Sequence, residues 1–154
     1  MRNSLNINTA KIEALYELAN LSGIPVDESC PANIVSMSVR LPSGMKIVSL
    51  SSAQSNDSTK LERFAHEMGH CMTDSFYEGY SPFEQRAKHE KSANEWAIKH
   101  LIPFDSLCNA VKNGYRESWE LAEYFDVSAT FIQKAIELHA SEGNTVPTKF
   151  YKEY

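Results

Sequence analysis

The sequence predicts an α+β fold: a small antiparallel sheet, then two long helices, then a helical C-terminal region. Two periodicities predict it. Val35, Met37, Val39 and Leu41 alternate with polar residues, which is the period of a strand with one face buried. From Leu61 onward apolar residues recur every three or four positions, which is the period of an amphipathic helix. With 154 residues, 42% apolar and 23% charged, the chain is long enough for one domain with a core of its own.

The elements can be taken in order. Thr9 to Ser22 reads as a helix with Ile12, Leu15, Leu18 and Ala19 inward, closed by Gly23. Ile34–Leu41 reads as a strand, Pro42-Ser43-Gly44 as a turn, and Met45–Leu50 as the returning strand. Ser49 to Ser58, rich in Ser and Asn, should be a mobile surface loop. Asp57, Ser58 and Thr59 are cap candidates for the next helix, with Thr59 and Glu62 spaced as a capping box. Its buried stripe should be Leu61, Phe64, Ala65, Met68 and Met72. The following helix should open with Ser81 as cap, Pro82 in the first position and Glu84 closing a box, and should stop before Pro103.

The first of these long helices carries His66-Glu67-Met68-Gly69-His70, an H-E-x-x-H sequence. Residues four apart share a helix face, so both imidazoles can reach one metal ion. Glu67 sits about 100° round from His66, beside such an ion, where a base for an attacking water belongs. From this composition the pattern would arise by chance in on the order of one such chain in a hundred. The plain alternative is two solvated histidines on an ordinary amphipathic helix. Cys71 follows His70 but falls off that face, and reads as packing.

A third ligand should be a carboxylate, His or Cys. The stripe of the next helix reads Phe83, Ala87, Glu90, Asn94, Ala97, Leu101, so a carboxylate and an amide interrupt an apolar face. An unpaired carboxylate there would cost roughly several kcal/mol, which a metal removes. Glu90 is therefore the expected third ligand, unless it pairs with a Lys or Arg at the stripe's edge. Asn94, one turn on, is placed to hydrogen-bond a ligand from behind and orient it.

His66-Glu67-Met68-Gly69-His70, followed by Glu90-Lys91-Ser92-Ala93-Asn94-Glu95-Trp96-Ala97 and Leu101-Ile102-Pro103, resembles the ImmA/IrrE family of zinc metallopeptidases. These are gluzincin-type enzymes of bacteria, phages and mobile elements. The likeness extends more loosely from about residue 10 to residue 140. It implies a zincin-like core over about residues 1–103 and one zinc per chain, held by His66, His70 and Glu90, with Glu67 as catalytic base. It also implies a protein substrate, because family members cleave helix-turn-helix regulators or are encoded beside them. The chain departs from the pattern at Ser92, where many members carry a second Glu, and this favours Glu90 as the ligand. In related zinc peptidases a sheet edge beside the cleft holds the substrate as an added strand, a role open to the hairpin Ile34–Leu50.

Such sites commonly have a second donor for the oxyanion. Tyr77, Tyr80, His89 and Tyr115 are the candidates, although for most of them a surface position is explanation enough. His89 lies about 100° from Glu90 on its helix, so it can rim the cleft without binding the same ion.

Net charge is −5, which offers no basic surface for nucleic acid or anionic lipid. Met1 to Thr9 has no apolar signal-peptide core, and no run of 18 apolar residues exists. Cys30, Cys71 and Cys108 are odd in number without C-x-x-C spacing, as expected of reduced thiols in a cytoplasmic protein. Residues from about 104 to 154 form the helical subregion. Within it Leu121–Ser128 followed by Ala129–Leu138 resembles a helix-turn-helix with Ser128 as cap. Between Tyr115 and Ala140, however, two bases face five acids, a net charge of −3 that phosphates would repel. A packed helical hairpin is the stronger reading than a DNA-binding regulator. A non-catalytic, zinc-containing partner-binding protein is the other alternative, and Glu67 counts against it because a structural site has no use for a base.

Overall fold

A computed structural model describes residues 4–52 and 57–144. The fold is α+β. Helix α1 (Ser4–Leu21) leads to three strands, β1 (Val26–Cys30), β2 (Met37–Arg40) and β3 (Lys46–Ser51), followed by five more helices. These are α2 (Asp57–Met72), α3 (Phe83–Leu101), α4 (Phe104–Lys112), α5 (Ser118–Phe125) and α6 (Ala129–Ser141). By contact density the chain divides into two compact units, residues 1–97 and 98–154.

In the first unit the strand order is β1-β3-β2. β2 runs antiparallel to β3, but β1 runs parallel to it, so the sheet is mixed rather than purely antiparallel. β1 escapes the sequence reading because Asp27, Glu28 and Ser29 are polar and exposed, and its register slips between Asp27 and Cys30. The Ser/Asn-rich segment is shorter than expected. Ser49 to Ser51 belong to β3, residues 53–56 lie outside the described residues, and Asp57 already begins α2. Thr59 therefore sits inside the first turn of α2 and does not cap it.

The faces of β2 are the reverse of the expected ones. Val35 is 73% exposed, Met37 46% and Val39 40%, whereas Ser36 is buried and Ser38 half-buried. Small hydroxyls fit there: Ser38 Oγ donates to Glu67 of α2 at 2.8 Å, and Ser36 Oγ accepts from the backbone N–H of Ser51, the last residue of β3, at 2.9 Å. The core of this unit comprises Leu15, Val48, Leu50, Leu61, Phe64, Ala65 and Met68. Met72 is exposed, so the α2 stripe ends a turn early. Helix α1 starts before Thr9 and ends as expected, with Gly23 at φ +68.

α2 and α3 cross almost backbone to backbone. A Cβ built on Gly69 would lie 2.4 Å from the Ala93 carbonyl oxygen, and Ala93 is itself fully buried. Among the non-aromatic residues of H-E-x-x-H, the glycine is therefore the one that lets α3 approach. The outer half of the expected α3 stripe is not buried: Phe83 is 77% exposed and Ala87 is exposed. Burial begins at Ala93. Pro82 precedes the helix, and Ser81 Oγ accepts from the Glu78 N–H at 3.0 Å, closing the preceding turn.

In the second unit α5 packs against α6, and Ile102, Leu107, Leu121, Ile132 and Ala135 are fully buried. Ser128 caps α6, its Oγ accepting from the Phe131 N–H at 3.1 Å. Asp126, in the left-handed region at φ +56, ends α5. His139 is buried, and its Nε2–H donates to the Ile102 carbonyl at 2.9 Å.

Candidate metal centre

α2 presents His66 and His70 on one face, and α3, admitted by Gly69, brings Glu90 against them. His66 Nε2 lies 3.2 Å from His70 Nε2 and 3.0 Å from Glu90 Oε2, and His70 Nε2 lies 3.3 Å from Glu90 Oε1.

The protonation of the rings follows from what lies behind them. His70 Nδ1 is 2.6 Å from the Ser75 main-chain carbonyl, which can only accept, so Nδ1 carries a proton, and the neutral ring presents a lone pair at Nε2. His66 Nδ1 is 2.8 Å from Asn94 Oδ1, which implies the same tautomer. Two lone pairs and a carboxylate thus converge on one point, an arrangement that repels itself without a cation at its centre. Tetrahedral donors each about 2.1 Å from an ion stand about 3.4 Å apart. The observed 3.0–3.3 Å fits that spacing. Two imidazoles and one carboxylate are the borderline donor set that suits zinc and leave a coordination position open.

The Ser75 carbonyl is held in place by its loop. Thr73 Oγ1 donates to the Gly69 carbonyl and meets Ser75 Oγ at 2.6 Å, and the Ser75 N–H donates to the His70 carbonyl. Asp74, at φ +52, pairs with Arg40 of β2 (2.7 Å) and Lys46 of β3 (3.3 Å). Lys46, then Arg40, hold its carboxyl below the usual range.

Beside His66, His70 and Glu90 opens a cleft of about 220 Å³, lined by Ser36, Met37 and Ser38 of the strand side, by Ser75, Phe76 and Tyr77 of the loop, and by those three residues themselves with Glu67. Glu67 is 8% exposed. Burial pushes its carboxyl up to about 7, against the pull of a hydrogen bond from Ser38. A buried carboxyl poised near neutrality can exchange a proton in either direction.

The other candidate residues are dispersed. Tyr77 faces the cleft and donates to Glu90 Oε1 at 2.7 Å. His89 stacks on Tyr77, with ring centroids 6.3 Å apart, and is not among the cleft-lining residues. Tyr80 is 86% exposed and does not line the cleft. Tyr115 belongs to the second unit, where its ring lies 4.7 Å from that of Tyr124. Sequence reasoning missed Ser38 and the Ser75 carbonyl. The first was hidden by the reversed strand face, and the second, a main-chain group, has no sequence signal at all.

A family model described as Peptidase_M78, IrrE N-terminal-like domain, matches residues 23–137, which span every residue of the cluster and the cleft. No curated protein and no solved structure matches the chain.

Proposed function

The chain belongs to the M78 peptidase family through its IrrE N-terminal-like domain, a family of zinc metallopeptidases, and on that premise we propose that it is a zinc-dependent endopeptidase acting on a helix-turn-helix regulator of a phage or mobile element. The observation that carries the catalytic reading is Glu67: a buried carboxyl directly beside three convergent metal donors, in an open cleft. His66, His70 and Glu90 would hold the ion, with Asn94 and the Ser75 carbonyl orienting the two rings. When bound, zinc supplies a Lewis acid for the scissile carbonyl and acidifies water.

Glu67 takes the proton of the attacking water and later delivers it to the leaving amine. Tyr77, whose hydroxyl already reaches Glu90 at 2.7 Å, stands nearest to serve as a second donor to the oxyanion. An extended substrate fits the free edge of β2, the outermost strand beside the cleft. The three free cysteines support a reducing, cytoplasmic setting. Among the described residues no helix is long and apolar enough to cross a membrane.

The test is co-incubation of the zinc-loaded protein with the regulator encoded beside it, read by intact mass. Glu67→Gln keeps the side-chain shape and removes the base. It should retain zinc and bind the regulator, yet lose cleavage at least about 100-fold. Wild-type biological effect from this variant would favour the non-catalytic, partner-binding reading instead.

A further inference from the structure

β2 pairs with β3 in the register Met37↔Ser49, Ser38↔Val48, Val39↔Ile47, Arg40↔Lys46. The Leu41 N–H donates to the Met45 carbonyl at 2.8 Å, so Leu41 and Met45 are a hydrogen-bonded pair. In an antiparallel ladder bonded and non-bonded pairs alternate. Val39 and Met37 therefore direct their main-chain groups toward β3, while Ser38 and Arg40 direct theirs to the open edge. On that edge Ser38 meets Glu67. Its Oγ donates to Glu67 Oε2 at 2.8 Å.

We propose that Ser38 is a positioning residue for Glu67, tying the catalytic base to the strand edge along which substrate lies. This rests on the peptidase reading above. Glu67 is buried, and a buried carboxylate without donors would turn toward whichever partner it could find. Ser38 supplies a donor through its hydroxyl, while its main-chain groups face the open edge. The N–H is the main-chain group that an added strand claims when it pairs with β2. The hydroxyl is not part of any ladder and keeps its hold. Docking of an extended peptide thus claims the main chain of Ser38 while Oγ keeps Glu67 fixed. A hydrogen bond to a charged group, once lost, leaves the carboxylate unaimed during proton transfer but leaves the metal cluster and the strand edge intact.

Two measurements test this. The first needs no activity: proton exchange of the Ser38 hydroxyl, read by NMR in wild type and Glu67→Ala. The hydroxyl proton should be protected at least about 10-fold in wild type and lose that protection in the variant. A Ser38 hydroxyl as fast in wild type as in Glu67→Ala overturns the contact. The second uses the zinc-loaded enzyme. Ser38→Ala should lower kcat about 10-fold, with KM and zinc content within two-fold of wild type, and Ser38→Thr, which keeps the hydroxyl, should recover most of it. Wild-type kcat in Ser38→Ala overturns the positioning role while the peptidase reading stands. If wild type cleaves nothing that Glu67→Gln does not, the peptidase reading falls and the role of Ser38 falls with it, even where its hydroxyl is protected.

Discussion

Asn94 bears most of the burden of orienting His66, since its amide oxygen sits 2.8 Å from Nδ1 and the ring is otherwise part-exposed. Asn94→Leu fills the space and removes the acceptor, and should weaken zinc binding about 10–100-fold without unfolding the chain. Asn94→Asp keeps an acceptor and strengthens it, so zinc affinity should hold or rise. Competition titration with a zinc chelator on the three proteins, with circular dichroism as folding control, decides. Equal affinity in Asn94→Leu and wild type would reduce Asn94 to an exposed helix residue. Glu67 offers a second residue-scale test, in the metal-free protein. Burial lifts its carboxyl from the ordinary 4.5 to about 7, so between those values the folded chain binds a proton that the unfolded chain has released. Stability then falls as pH rises through that window. Glu67→Gln lacks this titration. Urea unfolding in chelator at pH 5 and pH 8 should show the variant gaining on wild type at the higher pH, and a pH-independent difference would contradict the assigned burial effect.

At the scale of elements, the crossing of α2 over α3 sets the site, and Gly69 sets the crossing. Gly69→Ala would place a methyl group 2.4 Å from the Ala93 carbonyl, and a backbone atom cannot swing aside as a side-chain tip can. The helices must part, at a net cost of about 1–3 kcal/mol although alanine is the better helix former. Because α3 carries Glu90, zinc affinity should fall together with the denaturation midpoint. A variant as stable and as tightly metallated as wild type would show that the crossing gives way elsewhere. The helices were legible in the sequence because their signals are local: a 3.6-residue stripe from Leu61 to Met68, a glycine after α1, Ser128 before α6. The sheet was less so. Alternation located β2 but could not say which face was inward, because that depends on what packs against it. Here a helix bearing a buried carboxyl asks for Ser38 and the end of β3 for Ser36, not for Val35 and Met37. β1 has no alternation to find, since its parallel pairing with β3 is made by main-chain groups that any sequence supplies.

For the molecule as a whole, zinc would act as a cross-link between two helices of the first unit, drawn from positions 24 and 20 residues apart in the chain (His66 and His70 to Glu90). Ligand that binds only the folded form adds about 4.1 kcal/mol at 1,000 times its dissociation constant. The unfolding midpoint should therefore climb with free zinc and drop on chelation, and Glu90→Ala should flatten the dependence. A midpoint indifferent to zinc in wild type would argue that the three donors do not share an ion. The cluster itself was legible because its spacing is fixed by helix geometry. The loop that supports it was not, for Ser75 contributes a carbonyl and Asp74 a charge to partners 34 and 28 residues away.

That loop has a consequence for inheritance. The acceptor behind His70 is main chain, and every amino acid carries that carbonyl, so no substitution at position 75 can delete it. The acceptor behind His66 is an amide that a single base change can replace. One imidazole is thus insured against mutation and its neighbour is not, and drift in metal affinity among descendants of this gene has its easiest route through position 94.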